Sequence, residues 1–149
     1  MDIKLLLPIV ALAGCTTPAF QEVSPPSDPI TETTVVAVAP PASAATVEEF
    51  DTTSAEDRAA ATAPTESIDV ALGVTIASLG PPTEPGIWLK TPLVDAVTPG
   101  RVGYGGTSVN LELRPSGGEA GAGSQISLAA MRLLGVPLTS LPELTVYRQ

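Results

Sequence analysis

The chain has 149 residues, one cysteine, no histidine and a formal charge of −9. That length fits one domain, and a single cysteine leaves no disulfide scaffold. Without histidine, Ser-His-Asp and Cys-His catalysis and most zinc or copper sites lose their usual partner. The charge is unevenly spread: eight acidic residues and no basic one lie between Lys4 and Arg58, whereas from Arg58 onward six basic residues face seven acidic ones. The acidity belongs to the N-terminal part. With no basic patch to neutralise phosphates, nucleic acid is not an expected partner.

The first element is Met1-Asp2-Ile3-Lys4, an apolar run Leu5-Leu6-Leu7-Pro8-Ile9-Val10-Ala11, and Leu12-Ala13-Gly14-Cys15. One basic residue, a short apolar stretch and small residues before a cysteine form the layout of a cleaved secretory signal. The run at 3–13 is far short of the roughly 20 apolar residues that span a bilayer. Leu12-Ala13-Gly14-Cys15 resembles the lipobox of bacterial lipoproteins, in which the cysteine thiol is acylated and the chain is cut just before it. The resemblance implies a signal peptide at 1–14 and a mature chain held on a membrane by lipid on Cys15. Thr16, where an aspartate would retain the protein elsewhere, resembles outer-membrane sorting on the periplasmic face of the cell envelope.

Residues 15–46 are rich in Pro, Thr, Ser, Ala and Val. Such a segment buries too little to offset its ordering entropy and reads as a disordered, acidic linker. Some 30 residues would reach about 90 Å fully extended and about 30 Å as a coil. Residues 47–67 read as a short helix and spacer: Thr53 and Glu56 have capping-box spacing, residues 55–61 are good helix formers, and Pro64 bounds them. Beyond Phe50 this helix offers little apolar surface, which leaves two readings, a helix lying loosely on the domain or a spacer, of which the spacer is preferred.

A domain is expected over 68–149. Residues 74–79 alternate β-branched positions and stop at Gly80-Pro81-Pro82, which predicts a strand. Residues 86–91 predict a second, and weaker ones lie near Leu93-Val94 and Arg101-Val102. The clearest is 107–114, with Val109, Leu111 and Leu113 on one face and Ser108, Asn110, Glu112 and Arg114 on the other. After a glycine-rich loop at 115–123 the period becomes helical: Leu128, Met131 and Leu134 follow Ser127 as N-cap, and Gly135 ends the helix. Residues 144–147 predict a last strand. About 80 residues with few aromatics make a marginal core, which a small closed barrel would use well.

From Trp88 onward the order of signals resembles the rare lipoprotein A family. The residues that carry it are Gly100-Arg101-Val102, then Gly106-Thr107-Ser108-Val109-Asn110-Leu111-Glu112-Leu113, Arg114-Pro115-Ser116-Gly117 at a turn, and Gly123-Ser124-Gln125-Ile126-Ser127-Leu128-Ala129-Ala130-Met131-Arg132-Leu133-Leu134-Gly135. The match covers roughly 60 residues. It implies a small double-psi β-barrel, mainly β, with one short helix. It also implies degeneracy at the catalytic positions: Ser127 stands where enzymatic relatives carry an aspartate, and the turn aspartate is missing. Cleaving a glycosidic bond needs an acid to protonate the leaving oxygen, so no catalytic residue, cofactor or metal ligand is assigned.

Trp88 could stack on a sugar, with Lys90, Arg101 or Tyr104 binding a carboxylated glycan; alternatively Trp88 is the domain's large core anchor. The glycines at 117, 118, 121 and 123 lack the lysine of a phosphate loop and the spacing of a dinucleotide fingerprint. Ser108, Ser116 and Ser124 have no visible base, and Glu112 and Glu119 could pair only if the loop folds back. The sequence therefore points to a non-enzymatic envelope lipoprotein whose tethered barrel binds peptidoglycan or an envelope protein. The alternative is an enzyme acting on glycans or sugar acids, such as a lytic transglycosylase or a D-galactarate dehydratase.

Overall fold

The computed structural model describes residues 37–149; the expected signal peptide, Cys15 and most of the linker lie outside the described residues. Six strands close a barrel in the order β1-β5-β2-β4-β3-β6. They are β1 (Val70–Leu79), β2 (Trp88–Thr91), β3 (Thr98–Tyr104), β4 (Thr107–Pro115), β5 (Ser124–Ile126) and β6 (Glu143–Arg148). Two pairs, β1 with β5 and β2 with β4, are parallel, and the other four are antiparallel. The pairing senses read the same in either direction from the β5–β2 pair. The expected mainly β fold is present as a small closed barrel with two parallel pairs reached by crossovers. Closure leaves no strand edge open.

Inward positions carry the core. Leu89, Val102, Val109, Leu113, Ile126, Leu144 and Val146 are fully buried, and Met131 seals it from the helix α3 (Leu128–Leu133). That helix is capped as its sequence suggests: Ser127 Oγ accepts from the Ala130 amide, and Gly135 takes a positive φ of 70°. One buried hydroxyl pair interrupts the apolar interior, where Thr75 Oγ1 and Ser124 Oγ lie 2.8 Å apart and satisfy each other.

Three sequence expectations differ from the structure. Leu93-Val94 is a turn, because Pro92 ends β2 and the Leu93 amide turns back to Thr91 Oγ1 at 3.3 Å. β5 was not expected: three residues show no periodicity, and Gln125 is its single outward side chain. The helix α2 (Ala55–Thr62) is capped one residue later than Thr53, by Ser54 in a reciprocal box with Asp57, since Thr53 donates its amide to Asp51 instead.

Residues 37–66 pack on the barrel as an arm. It contains α1 (Val47–Phe50), capped by Thr46 with Glu49, and α2, whose Ala61 is buried. Asn110, outward on β4, donates to the carbonyls of Ala60 and Ala63 and accepts from Thr65 and from Gln149 at the C-terminus. The segment expected as a spacer is thus docked through polar clasps, which a search for apolar surface does not find. Thr52 Oγ1 also donates to the Val38 carbonyl, so the docked region starts no later than residue 38. No helix of the described residues is long and apolar enough to cross a membrane.

Candidate functional site

Strand alternation decides what Trp88 does. Leu89 points into the barrel, so Trp88 and Lys90 point out, yet Trp88 is 0% exposed. The loop between β1 and β2 covers it: Gly80 lies so close that a Cβ there would sit 2.4 Å from the ring, and the indole Nε1 donates to the Glu84 carbonyl at 3.4 Å. Lys90 Nζ lies 4.8 Å and the Arg114 guanidinium 5.4 Å from the ring centroid. Both are anchored by Glu84, at 2.6 and 2.7 Å, and Arg114 also reaches Glu112. Two cations and two carboxylates close a neutral lid over the indole. Trp88 is a core anchor on the outside of the barrel and offers no face to a sugar.

The other expected ligand residues do not converge on it. Arg101, outward on β3, pairs with Asp69 and lies 5.4 Å from the centroid of Tyr147. Tyr104 ends β3 at the hairpin and is 39% exposed. Of the four, only Trp88 and Lys90 are neighbours.

Two larger concavities lie among the described residues. The first, about 530 Å³, runs between the arm and the outer face of β4, lined by Val38, Ala60, Ala61, Ile87, Leu111 and Gly100 with a polar rim of Asp57, Asn110, Glu112 and Arg114. The second is an open cleft of about 850 Å³ at the glycine-rich end. Its floor comes from the outward residues Ile76, Ser78, Lys90 and Gln125, and its wall from Pro115, Ser116, Gly121, Ala122 and Gly123. Gly117, Gly121 and Gly123 take positive φ values of 70°, 92° and 78°, which lets the loop bend back over the strands. No carboxylate lines this cleft among the described residues.

No family model matches the chain, and neither a curated protein nor a solved structure does. Its chemistry rests on the groups in place.

Among the described residues no three acidic or cysteine side chains come together as a metal site. Two carboxyls are held below their ordinary range. Glu49 is lowered by the amides of Ala45 and Thr46. Burial pushes Asp51 up, but the hydrogen bonds of Thr53 and the charge of Arg58 outweigh it and the result is a lowered value. Asp51 is the hub of the arm: its side chain is 3% exposed and meets Arg58 at 3.3 Å and Arg132 of α3 at 2.8 Å. Ser116 accepts from the Gly118 amide and Ser124 is held by Thr75. Glu112 is held by Arg114 on β4, on the rim of the arm groove.

Sequence reasoning missed the hubs Glu84, Asp51 and Asn110. Glu84 sits in a proline-glycine loop that gives no signal. Asn110 had one: an uncharged amide on the outward face of an otherwise charged or hydroxyl-bearing strand, where a side chain that both donates and accepts suits clasping backbone.

Proposed function

We propose that the chain is a non-enzymatic, lipid-anchored envelope protein of the bacterial periplasmic face whose barrel binds peptidoglycan glycan strands. The observation that carries the reading is the open cleft at the glycine-rich end. It combines an apolar strip, Ile76 with Ala122, and neutral hydrogen-bonding groups, Ser78, Ser116 and Gln125, and its volume is within the range of small-ligand sites. A sugar ring needs that mixture: faces that lie on apolar surface and hydroxyls that exchange water for side-chain partners. The lipobox resemblance at Leu12-Ala13-Gly14-Cys15 supports the anchor and the compartment.

The test is co-sedimentation of the mature chain with purified peptidoglycan, with muropeptide release followed in the same tube. Replacing Gln125 and Ser78 together by alanine should weaken binding by roughly tenfold, the loss of two net hydrogen bonds, while Trp88→Phe should leave it unchanged if the fold is kept. Binding insensitive to the cleft variants would refute the site, release of muropeptides would overturn the non-enzymatic reading, and no binding would shift it to a protein partner in the envelope.

A further inference from the structure

Among the described residues, the strand pairings that close the barrel use none before Val70. Of the arm's residues only Ala61 belongs to the core. What holds residues 37–66 down is mostly polar and concentrated at two places. On α3, Arg132 meets the Asp51 carboxylate at 2.8 Å and the Glu48 carboxylate at 3.7 Å. On β4, Asn110 donates to the carbonyls of Ala63 at 2.8 Å and Ala60 at 3.4 Å, and Thr65 donates to Asn110 while accepting from Gln149. A segment with few buried apolar contacts opens at lower free energy than the body it rests on. Just past Thr65, the last clasp, Glu66, Ser67 and Ile68 are all exposed, and Asp69 is then paired with Arg101 of β3. Three uncovered residues between the clasp and that ion pair make a hinge at which detachment stops.

We infer that the arm is a releasable strap: under a pull between the N-terminus and the barrel it peels away as a unit, lengthens the tether and leaves the barrel closed. Its use in the cell rests on the lipid-anchor reading of Cys15 and on the wall-binding reading of the cleft, which put the two ends of the chain on different supports. The pull enters the described chain near Val38, whose carbonyl is held by the Thr52 hydroxyl and by no strand ladder. From there it reaches the Arg132 contacts and then the Asn110 clasp in chain order. After release the load passes to Asp69 and to β1, where the ladder with β6 runs from Val70 to Ile76 and has to part before the barrel opens. The gain in reach is large. With the arm docked, the chain from Cys15 to Ala37 spans at most roughly 75 Å fully extended, and residues 38–66 add on the order of 100 Å. Helices of 4 and 8 residues do not persist away from the barrel, so the freed arm extends as a coil. Release thus more than doubles the distance over which a bound barrel stays connected to its anchor.

The test pulls the full chain in magnetic tweezers between a handle on its only thiol, Cys15, and a second handle at the C-terminus. Both ends are then held without membrane or wall, and the result depends on neither reading. Two steps are expected in a fixed order: a reversible gain on the order of 100 Å at low force, then roughly 280 Å at higher force as the barrel's last 80 or so residues open. Asn110→Ala should speed the first step about tenfold at a given force, the loss of at least two net hydrogen bonds, and leave the second unchanged. Arg132→Gln, which keeps a good helix former in α3, should do the same. A single step of roughly 380 Å overturns the proposal, because arm and barrel then open together. A single step of roughly 280 Å overturns it as well, because the arm is then not docked. So does an Asn110→Ala chain whose second step moves as much as its first. Mass analysis of Cys15 in chain isolated from bacterial membranes and the co-sedimentation described above test the two supports separately: failure of either removes the pull in the cell and leaves the two-step release standing.

Discussion

Gly100 is where the closed barrel has least room, and Gly100→Ala measures how tightly it is packed. The residue lies in β3 with a partner on each side, Leu111 of β4 and Arg148 of β6. A Cβ at that position would stand 2.4 Å from Leu113 Cδ1, 2.6 Å from Leu113 Cγ and 2.6 Å from the Tyr147 carbonyl oxygen. Ordinary carbon contacts are about 3.5–4.0 Å, so each falls short by roughly 1 Å. Leu113 is 0% exposed and has nowhere to swing, and the carbonyl belongs to the neighbouring strand. Overpacking of this kind costs about 1–3 kcal/mol and more where backbone must shift, and we expect about 3 kcal/mol, or a fall in Tm of about 15 °C for a domain of this size. Gly103 on the same strand is the control: its Cβ would meet nothing nearer than the Thr107 carbonyl at 3.9 Å, and alanine is favoured over glycine in a strand by about 0.5 kcal/mol. Gly103→Ala should be neutral or slightly stabilising. Urea unfolding of the chain, read by the emission of buried Trp88, compares the two. A difference of less than about 1 kcal/mol would refute the packing argument.

Asp51→Asn removes the hub that ties the arm to Arg58 and Arg132 and should cost about 2 kcal/mol near neutral pH, measured by urea unfolding. Because the folded-state pKa of Asp51 is lowered, its contribution is fully present above the unfolded value near 4 and fades as pH falls through the folded one; the gap between the parent chain and Asp51→Asn should therefore close below about pH 4. Asn110→Ala unclasps residues 60–65 and the C-terminus, so limited proteolysis within 37–66 should accelerate by about tenfold while the barrel's own unfolding midpoint moves little. Ser127→Ala loses a helix cap and strands the buried Trp88 amide, which Ser127 Oγ accepts at 3.1 Å, and should cost about 2–3 kcal/mol; a loss below 1 kcal/mol would show that water replaces the hydroxyl.

What the sequence made legible follows from how locally each feature is encoded. β4 could be read because its alternation runs its full length, and α3 because Ser127, its apolar spacing and Gly135 agree. β5 is held only by its neighbours: Ser124, Gln125 and Ile126 form a strand because β1 and β2 flank them. The arm's docking was hidden for the same reason, since Asn110, 47 residues from Ala63, makes the bond that fixes it. Trp88 shows the deeper limit. Its outward position on β2 follows from alternation, and an outward tryptophan reads as a ligand platform, yet whether it faces water depends on a loop whose prolines and glycines carry no periodicity. That loop brings Glu84 over the ring, and Glu84 in turn holds Lys90 and Arg114 there. Of the residues that looked most like a glycan site, Trp88 and Lys90 are engaged with Glu84 and with one another for a structural reason. Binding chemistry has to be sought away from that cluster, at the open cleft of the glycine-rich end, where Gln125 is the outward side chain of β5.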